Sequence, residues 1–169
     1  AGASILNDIS ALQFDADMIN VLQNFPEVPV LLMHMQGTPE TMQVNPHYDD
    51  VIEEILSFFE ERINFCEKNG IFRERIIIDP GIGFGKRQED NLIILKKISE
   101  FKCLGVPIML GASRKSFIGN IYDSDATERL TGSLASTAFA FQNRIEIIRV
   151  HDVQEHKKFL EVMKEIRKV

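Results

Sequence analysis

Five short, almost unbroken apolar runs recur along the chain, and segments with the periodicity of amphipathic helices separate them. The runs cover residues 3–8, 29–35, 75–80, 107–113 and 145–152. Strands that are covered on both faces, as in a parallel sheet, have this continuous apolar character, whereas half-exposed strands alternate apolar and polar residues. Strand and helix therefore alternate about every 25 to 45 residues, which predicts an α/β domain made of repeated βα units.

Helical periodicity is clearest over residues 48–69, where apolar residues share one face and Gly70 follows the end of the segment. Further helices are predicted over residues 15–24, 89–103, 126–142 and 153–168. The composition does not shift along the chain, so residues 1–169 are interpreted as one domain.

Two architectures fit these units, an open doubly wound sheet and a (β/α)₈ barrel. A complete barrel needs about 250 residues, and five of its eight units have roughly the length of this chain, which is 169 residues. Each predicted strand ends in residues that can do chemistry. They are Asn7 and Asp8, His34 with Met35, Asp79, Ser113 with Arg114 and Lys115, and Arg149 with His151 and Asp152. Contributions from every strand favour the barrel, in which the strand ends converge around one centre.

The composition excludes several classes of function. The net charge is −6 and the sequence pI about 5.3, so no basic surface field would attract nucleic acid or an anionic membrane. No uncharged apolar run approaches the roughly 18 to 20 residues that span a bilayer, and no secretory leader is found, so the protein is expected to be soluble and cytoplasmic. Cys66 and Cys103 lack partners at metal-ligand spacing, and both are interpreted as buried packing residues.

The run IIIDPGIGFGKR, residues 76–87, ends a predicted strand with a carboxylate and continues as a glycine-rich turn. It is not a P-loop, because Pro80 and Arg87 replace the required glycine and hydroxyl residue, and it is not a dinucleotide fingerprint, because Lys86 replaces the final glycine. The glycines are expected to supply positive φ values in a βα turn. The carboxylate of Asp79 is expected to be partly desolvated, so it needs hydrogen-bond donors or an opposite charge to stay ionised. A ligand with two adjacent N–H donors could supply them, and the alternatives are the amides of its own turn or the ammonium group of Lys86.

The segment SRKS, residues 113–116, leaves a predicted strand at its carboxyl end. Gly111 removes side-chain bulk where a flat ligand could approach the backbone, and Lys115 brings a cation to the same place. The alternative interpretation is a solvated basic turn in which Ser113 caps a helix. Met35 is interpreted either as a flat apolar wall of such a site or as a core residue.

The segment RVHD, residues 149–152, places Arg149 and His151 two positions apart, so on a strand both side chains would point to the same side. Two cationic or donor groups in this arrangement suit a phosphate or diphosphate. The alternative is a buried Arg149 that pairs with Asp152 or Glu146.

Six segments carry a family resemblance through their order and spacing. They are ILNDIS, LMHMQGTPETMQ, IIIDPGIGFGK, GASRKSFIG, ERLTGSLA and IIRVHDV. Together they resemble the dihydropteroate synthases over the whole chain. The resemblance implies a (β/α)₈ barrel enzyme of folate synthesis, a target of sulfonamides, that joins 6-hydroxymethyl-7,8-dihydropterin diphosphate to p-aminobenzoate and releases diphosphate.

The resemblance also implies roles for individual residues. Asp79 would accept the ring N–H and the exocyclic amino group of the pterin, and Asn7 and Lys115 would bind its other polar atoms. The slot for the ring would be shaped by Ile9, Met35, Phe84 and Gly111. The catalytic residues would be Lys115, Arg149 and His151, of which the last two would bind the diphosphate. Ser116 and Lys115 would border the p-aminobenzoate pocket.

Members of this family begin with about three βα units that have no counterpart here. The chain is therefore expected to be the fourth to eighth units of the barrel, and it opens without a methionine, as a segment would. The resemblance further implies Mg²⁺ with its ligand in the missing units, no metal site in this segment, and a homodimer.

Two alternatives remain at this point. One is a pterin-binding enzyme that passes a methyl group from methyltetrahydrofolate to a corrinoid, and the other is a pterin-binding fragment without catalysis. The segments SRKS and RVHD favour the synthase over the methyltransferase, because a methyl donor carries no diphosphate.

Overall fold

The computed structural model describes residues 2–169, and it confirms the repeated βα organisation. The strands are β1 (Leu6–Asp8), β2 (Val30–Met33), β3 (Ile76–Asp79), β4 (Met109–Leu110) and β5 (Ile147–Ile148). They are shorter than the apolar runs that predicted them. β1, β2 and β3 form one parallel ladder and β4 and β5 another, and a parallel bridge from Ile78 to Ile108 joins the two.

The order of the strands distinguishes the two architectures. A doubly wound sheet reverses its strand order at a switch point, whereas the strands of a barrel follow one another around the sheet. Here the spatial order follows the chain from β1 to β5. The chain therefore forms a five-strand arc of a (β/α)₈ barrel.

Within residues 2–169, six α-helices lie between and after the strands. They are α1 (Met18–Asn24), α2 (Val51–Lys68), α3 (Gln88–Lys96), α4 (Ser116–Tyr122), α5 (Leu130–Gln142) and α6 (Val153–Ile166). Helix α2 begins where the side chain of Asp50 accepts hydrogen bonds from the amides of Ile52 and Glu53, and Gly70 follows its end with a φ of +77°. None of the helices in residues 2–169 is long and apolar enough to cross a membrane.

Helix α4 is absent from the sequence-based prediction. Its sequence, SFIGNIY, combines β-branched and aromatic residues with glycine and asparagine, all of which are weak helix formers. Its buried residues Phe117 and Ile118 pack into the core, so tertiary contacts stabilise the helix rather than local propensity.

The predicted helix over 89–103 is two elements, α3 and a 3₁₀ helix over Ile98–Leu104. The 3₁₀ helix repeats every three residues, which brings Ile98, Phe101 and Leu104 onto the core. Cys103 lies between these positions and is exposed, so the expectation that it is buried is wrong. Cys66, on the buried face of α2, is buried as expected.

Alternate residues of the strands build two separate apolar clusters, because successive side chains of a strand point to opposite faces. One face packs against the helices through Val30, Leu32, Ile76, Ile78, Ile108 and Leu110. The other face carries Leu31, Met33, Ile77 and Met109, with Met35, Phe84 and Ile147 packed against them. We call these seven residues the inner-face cluster, since this face is the interior of the barrel. Site residues at the strand ends lie next to it.

Candidate active site

Asp79 ends β3, and only 1% of the residue is exposed. One carboxylate oxygen accepts a hydrogen bond from the Gly81 amide at 2.8 Å, and the other lies 3.5 Å from a guanidinium nitrogen of Arg149. Burial raises the pKa of Asp79, while the Gly81 amide and the charges of Arg149, Lys86 and Lys115 act in the opposite direction. The carboxylate therefore caps its own turn and still directs its second oxygen toward a cation.

The glycine-rich loop, residues 80–87, packs directly against the chain that leaves β2. A Cβ atom on Gly81 would lie 1.9 Å from the carbonyl oxygen of His34, and one on Gly85 would lie 2.6 Å from that of Gln36. Both glycines also have positive φ values, +72° and +60°. They supply the positive φ values expected of a βα turn, and they also allow two backbones to approach more closely than any side chain would permit.

Four side chains hold the backbone of this loop, and sequence reasoning did not identify them as a group. The Gly83 amide donates to Asn91 Oδ1 at 2.7 Å. The other three side chains donate to carbonyl oxygens of the loop: Gln43 Nε2 to Gly83 O at 3.0 Å, Tyr48 Oη to Gly85 O at 2.7 Å and Lys86 Nζ to Phe84 O at 3.0 Å. Because Gln43 and Tyr48 lie about 40 positions away from their partners, no local pattern could have signalled these contacts.

Lys86 is buried, and its ammonium group binds His34 rather than Asp79. The Lys86 Nζ lies 2.9 Å from His34 Nδ1 and 3.4 Å from the His34 carbonyl oxygen. Burial lowers the pKa of Lys86 to about 7, and burial and the charge of Lys86 lower the pKa of His34 well below its usual value. An ammonium group can only donate, so Nδ1 accepts and the neutral His34 ring carries its proton on Nε2.

His34 thus differs from the other strand-end residues that the sequence indicated. Its ring lies edge-on to the ring of Phe58 at a centroid distance of 4.9 Å, on the helix side of the sheet. His34 does not face the site edge, because the alternation of side chains along the strand turns it toward α2.

Lys115 lies over the inner face. Its ammonium nitrogen is 4.1 Å from the centre of the Phe84 ring, and its stem packs against Gly83. Burial lowers the pKa of Lys115, the nearby Asp79 raises it and Arg149 lowers it further. Lys115, Phe84, Asp79 and Arg149 consequently form one group, whereas Ser116, the first residue of α4, is exposed beside it.

The guanidinium of Arg149 covers Gly111. A Cβ atom on Gly111 would lie 3.0 Å from Arg149 Nη2, so the small residue makes room for the arginine in this structure. The alternative pairings of Arg149 with Asp152 or Glu146 are not found. Asp152 instead binds Arg114, and the Glu146 carboxylate accepts a hydrogen bond from the backbone amide of residue 108.

β5 ends at Ile148, so the expectation that Arg149 and His151 lie on one strand is wrong. The Arg149 amide still donates to the Leu110 carbonyl at 2.9 Å, but the chain then turns away. His151 is exposed, and its Nδ1 lies 3.2 Å from Ser113 Oγ.

Strand register places Asn7 on the inner face, since Asn7 pairs with Leu31 and Leu31 pairs with Ile77. Asn7 is therefore two residues below the level of Asp79. Asp8 faces the other way and caps the next turn, with its carboxylate accepting from Ser10 and from the amide of residue 12.

The predicted site residues thus fall into three groups. In the first group, direct contacts join Asp79, Arg149 and Gly111, and Lys115 lies over Phe84. The charges of Asp79 and Arg149 both act on Lys115, which links the two sets. Met35 joins them through the inner-face cluster, and Asn7 through the register of β1. Ile9, Ser116 and His151 lie on the same edge of the arc, and within residues 2–169 they make no hydrogen bond to the first group.

This arrangement combines one buried carboxylate with two cations and an apolar wall. Such a site can accept N–H groups of a flat polar ring and can bind an anionic substituent next to it. Across the described part of the chain, no group of three or more His, Cys, Asp or Glu side chains is placed to hold a metal ion.

Comparisons with known proteins identify relatives over nearly the whole chain. The dihydropteroate synthase of Escherichia coli (strain K12) is 43% identical over 162 residues, which are 96% of this chain and 57% of that protein. The dihydropteroate synthase of Synechocystis sp. is 42% identical over 155 residues, which are 91% of this chain and 53% of that protein. The chain therefore spans little more than half the length of these relatives.

Solved structures agree with the fold. The Yersinia pestis dihydropteroate synthase with a sulfonamide drug superimposes with a TM-score of 0.94 at 36% identity, over 99% of this chain and 60% of that one. The Xanthomonas albilineans enzyme in complex with 7,8-dihydropteroate gives 0.90 at 37% identity, over 99% and 61%. A family model described as pterin binding enzyme matches residues 1–151. Because this match covers most of the 169 residues, the chain belongs to the pterin-binding enzyme family.

Proposed function

We propose that this chain supplies the pterin and diphosphate sites of a dihydropteroate synthase. The reaction joins 6-hydroxymethyl-7,8-dihydropterin diphosphate to p-aminobenzoate and releases diphosphate. The contact that carries the proposal is the buried Asp79 carboxylate with the Arg149 guanidinium 3.5 Å away, because it places an acceptor for a ring beside a cation for a leaving group. The relatives that are themselves dihydropteroate synthases support it.

Asp79 binds the pterin through two adjacent donors, the ring N–H and the exocyclic amino group. A carboxylate offers about four acceptor positions, so the bond from the Gly81 amide leaves room for both. Hydrogen bonds to a charged group contribute about 1.5 to 3 kcal/mol each. Asn7 and Lys115 bind other polar atoms of the ring. The slot around the ring is formed by Ile9, Met35, Phe84 and Gly111.

Arg149 and His151 bind the diphosphate and stabilise the charge that develops on it. The C–O bond to the diphosphate breaks first, and the bonding electron pair leaves with the diphosphate. The aniline nitrogen of p-aminobenzoate then forms the C–N bond to the pterin-stabilised cation and loses its proton. Arg149 is 42% exposed along its side chain, so it is accessible to this ligand. Lys115 and Ser116 border the p-aminobenzoate pocket.

Mg²⁺ supplies positive charge to a departing diphosphate in such sites. The described site residues do not fit this ion, because their carboxylate is Asp79 and cations surround it. We therefore place the metal ligands outside this set of residues and derive no step through the ion.

We further propose that three more βα units close the arc into a barrel. An apolar groove beside β1 supports this, because a closed sheet buries its edges. The groove is lined by Ile5, Leu6, Val21, Leu22 and Phe25. A homodimer through the later helices is the proposed assembly, supported by an apolar groove across α3, α4 and α5. This second groove is lined by Leu92, Leu95, Phe117, Ile121, Tyr122 and Phe139.

Two measurements on the full-length protein test the function. Calorimetry with a non-hydrolysable pterin diphosphate analogue measures binding, and a turnover assay with p-aminobenzoate measures the reaction. Binding with turnover is the expected result. Binding without turnover would instead identify a pterin-binding module, and methyl transfer from methyltetrahydrofolate to a corrinoid would identify the methyltransferase.

A further inference from the structure

Lys86 has no part in the proposed chemistry, yet it is one of the most completely buried charged residues, with 5% of it exposed. Its three ammonium protons have three acceptors at hand. Phe84 O lies at 3.0 Å, His34 Nδ1 at 2.9 Å and His34 O at 3.4 Å. An ammonium group that is taken out of water requires this kind of complete satisfaction.

These acceptors belong to Phe84, which forms one apolar wall of the site, and to His34, which directly precedes the other wall, Met35. The Phe84 carbonyl is bound by Lys86, while the ring of the same residue lies under the Lys115 ammonium. His34 is bound through its ring and carbonyl, and Met35 is the next residue along the chain. Met35 and Phe84 both pack on the inner-face cluster. Lys86 therefore links the end of β2 to the glycine-rich loop where these walls project.

We propose that Lys86 is a positioning residue for pterin binding, which fixes Met35 and Phe84 relative to Asp79 by tying His34 to the loop. The inference rests on the proposed function of the site. A purely space-filling role would be served by an apolar side chain such as methionine, without the cost of burying an ammonium group.

We call the contacts of Lys86 with His34 and Phe84 the clamp. The charged and titratable groups that face Lys86 are expected to make these contacts depend on pH. Burial lowers its pKa to about 7, Asp79 and Asp90 act to raise it, and Lys115 lowers it. His34 accepts a hydrogen bond from Lys86, and the centre of the Tyr48 ring lies 6.1 Å from the centre of the His34 ring. When the ammonium loses its proton, the amine keeps two donors for three acceptors, so the clamp weakens as the pH rises above about 7.

The test compares the full-length protein with its Lys86→Met variant, and uses Lys102→Met, an exposed position, as the matched control. The first measurement is amide hydrogen exchange over residues 81–86, which does not depend on any activity. Faster exchange in this loop alone, in Lys86→Met and not in Lys102→Met, is expected. Unchanged exchange in the loop would overturn the clamp itself.

The second measurement is the affinity for 6-hydroxymethylpterin at pH 6.0 and at pH 8.5. The Lys86→Met variant is expected to bind the pterin about tenfold more weakly at pH 6.0, because it lacks the charge-assisted hydrogen bonds of the ammonium group. It is also expected to show a smaller change with pH than the unmodified protein. Titration of the pterin itself contributes equally to both proteins, so equal pH profiles would overturn the pH dependence of the clamp. Equal pterin affinities of the two proteins at both pH values would overturn the positioning role.

The two measurements separate the two proposals. A looser loop in a protein that binds no pterin at either pH contradicts the proposed function and leaves the clamp standing as a structural feature. If Lys86→Met does not fold, the unmodified protein gives the answer through the ¹⁵N shifts of the His34 ring. A step in the His34 Nδ1 shift near pH 7 with parallel loosening of the loop supports the clamp, and a flat profile for both contradicts it.

Discussion

The guanidinium of Arg149 lies 3.5 Å from the carboxylate of Asp79, although 70 positions separate them in the chain. β4 stands between β3, which ends at Asp79, and β5, which Arg149 directly follows, and neighbouring strands are about 4.8 Å apart. The long arginine side chain bridges this distance by crossing Gly111, which has no Cβ atom to obstruct it. Two groups of opposite charge thus meet across an intervening strand at the carboxyl edge of the arc.

Replacement of Asp79 by asparagine is expected to reduce pterin affinity about 10- to 100-fold, because the ring loses a charged acceptor that binds two of its donors. The asparagine oxygen can still accept from the Gly81 amide, so the turn is expected to remain folded. Calorimetry with 6-hydroxymethylpterin measures the effect. The exposed Asp123→Asn is the control, and an Asp79→Asn protein that binds as tightly as this control contradicts the assigned role.

The Asp79 carboxylate also determines how pterin binding depends on acid. Burial raises the pKa of Asp79 above the ordinary value of 3.8. The binding-competent, ionised form is therefore lost at a higher pH than for an exposed aspartate as the solution is acidified. As the pH is lowered from 7, pterin affinity is expected to decline at a higher pH than that at which an exposed aspartate becomes protonated. This decline is expected to be absent from Asp79→Asn.

Arg149→Ala is expected to weaken binding of a pterin diphosphate analogue roughly tenfold or more, because one charge-assisted contact is lost. Binding of the bare pterin is expected to change much less. The reason is that the guanidinium is partly exposed and in the proposed function binds the diphosphate, while Asp79 retains its acceptors for the ring. The two ligands serve as internal controls for each other. Equal losses for both would show that Arg149 supports the ring rather than the diphosphate.

Two glycines with nearly the same backbone angle give a matched stability comparison. Gly70 has a φ of +77° and nothing within 4 Å of an added Cβ, whereas a Cβ on Gly81, at +72°, would meet a backbone oxygen at 1.9 Å. Gly70→Ala should therefore cost about 1 to 2 kcal/mol of unfolding free energy for the left-handed conformation alone. Gly81→Ala should lower the unfolding free energy by clearly more, since the backbone at the His34 carbonyl must also move. Urea denaturation measures both, and equal losses contradict the close approach.

Unfolding free energy is expected to rise with pH above 7 through Lys86. Its pKa is about 7 in the folded chain and 10.5 as an ordinary value, so the unfolded chain binds more protons across this window. The contribution is at most about 1.4 kcal/mol per pH unit. Denaturation at pH 7, 8 and 9 should show a smaller slope for Lys86→Met than for the unmodified protein, and identical slopes would contradict the lowered pKa.

Much of the fold follows from the order of residues alone. The apolar runs at 29–35 and 75–80 predict β2 and β3, because a strand that is buried on both faces has apolar residues at nearly every position. The periodicity of 48–69 likewise predicts α2. Asp79, Lys115 and Arg149 could be selected because each lies near the carboxyl end of such a run or just after it, and parallel strands bring their carboxyl ends to one edge.

The sequence by itself therefore determined the βα repeat, the family and the charged residues at the strand ends, since these depend on periodicity and on short segments. Only the tertiary structure decided that Arg149 crosses Gly111, that His34 turns away from the site to bind Lys86, and that Cys103 is exposed. Such contacts depend on the curvature of the arc and on the path of each loop. A pattern of neighbouring residues cannot predict that side chains 52 or 70 positions apart will be in contact.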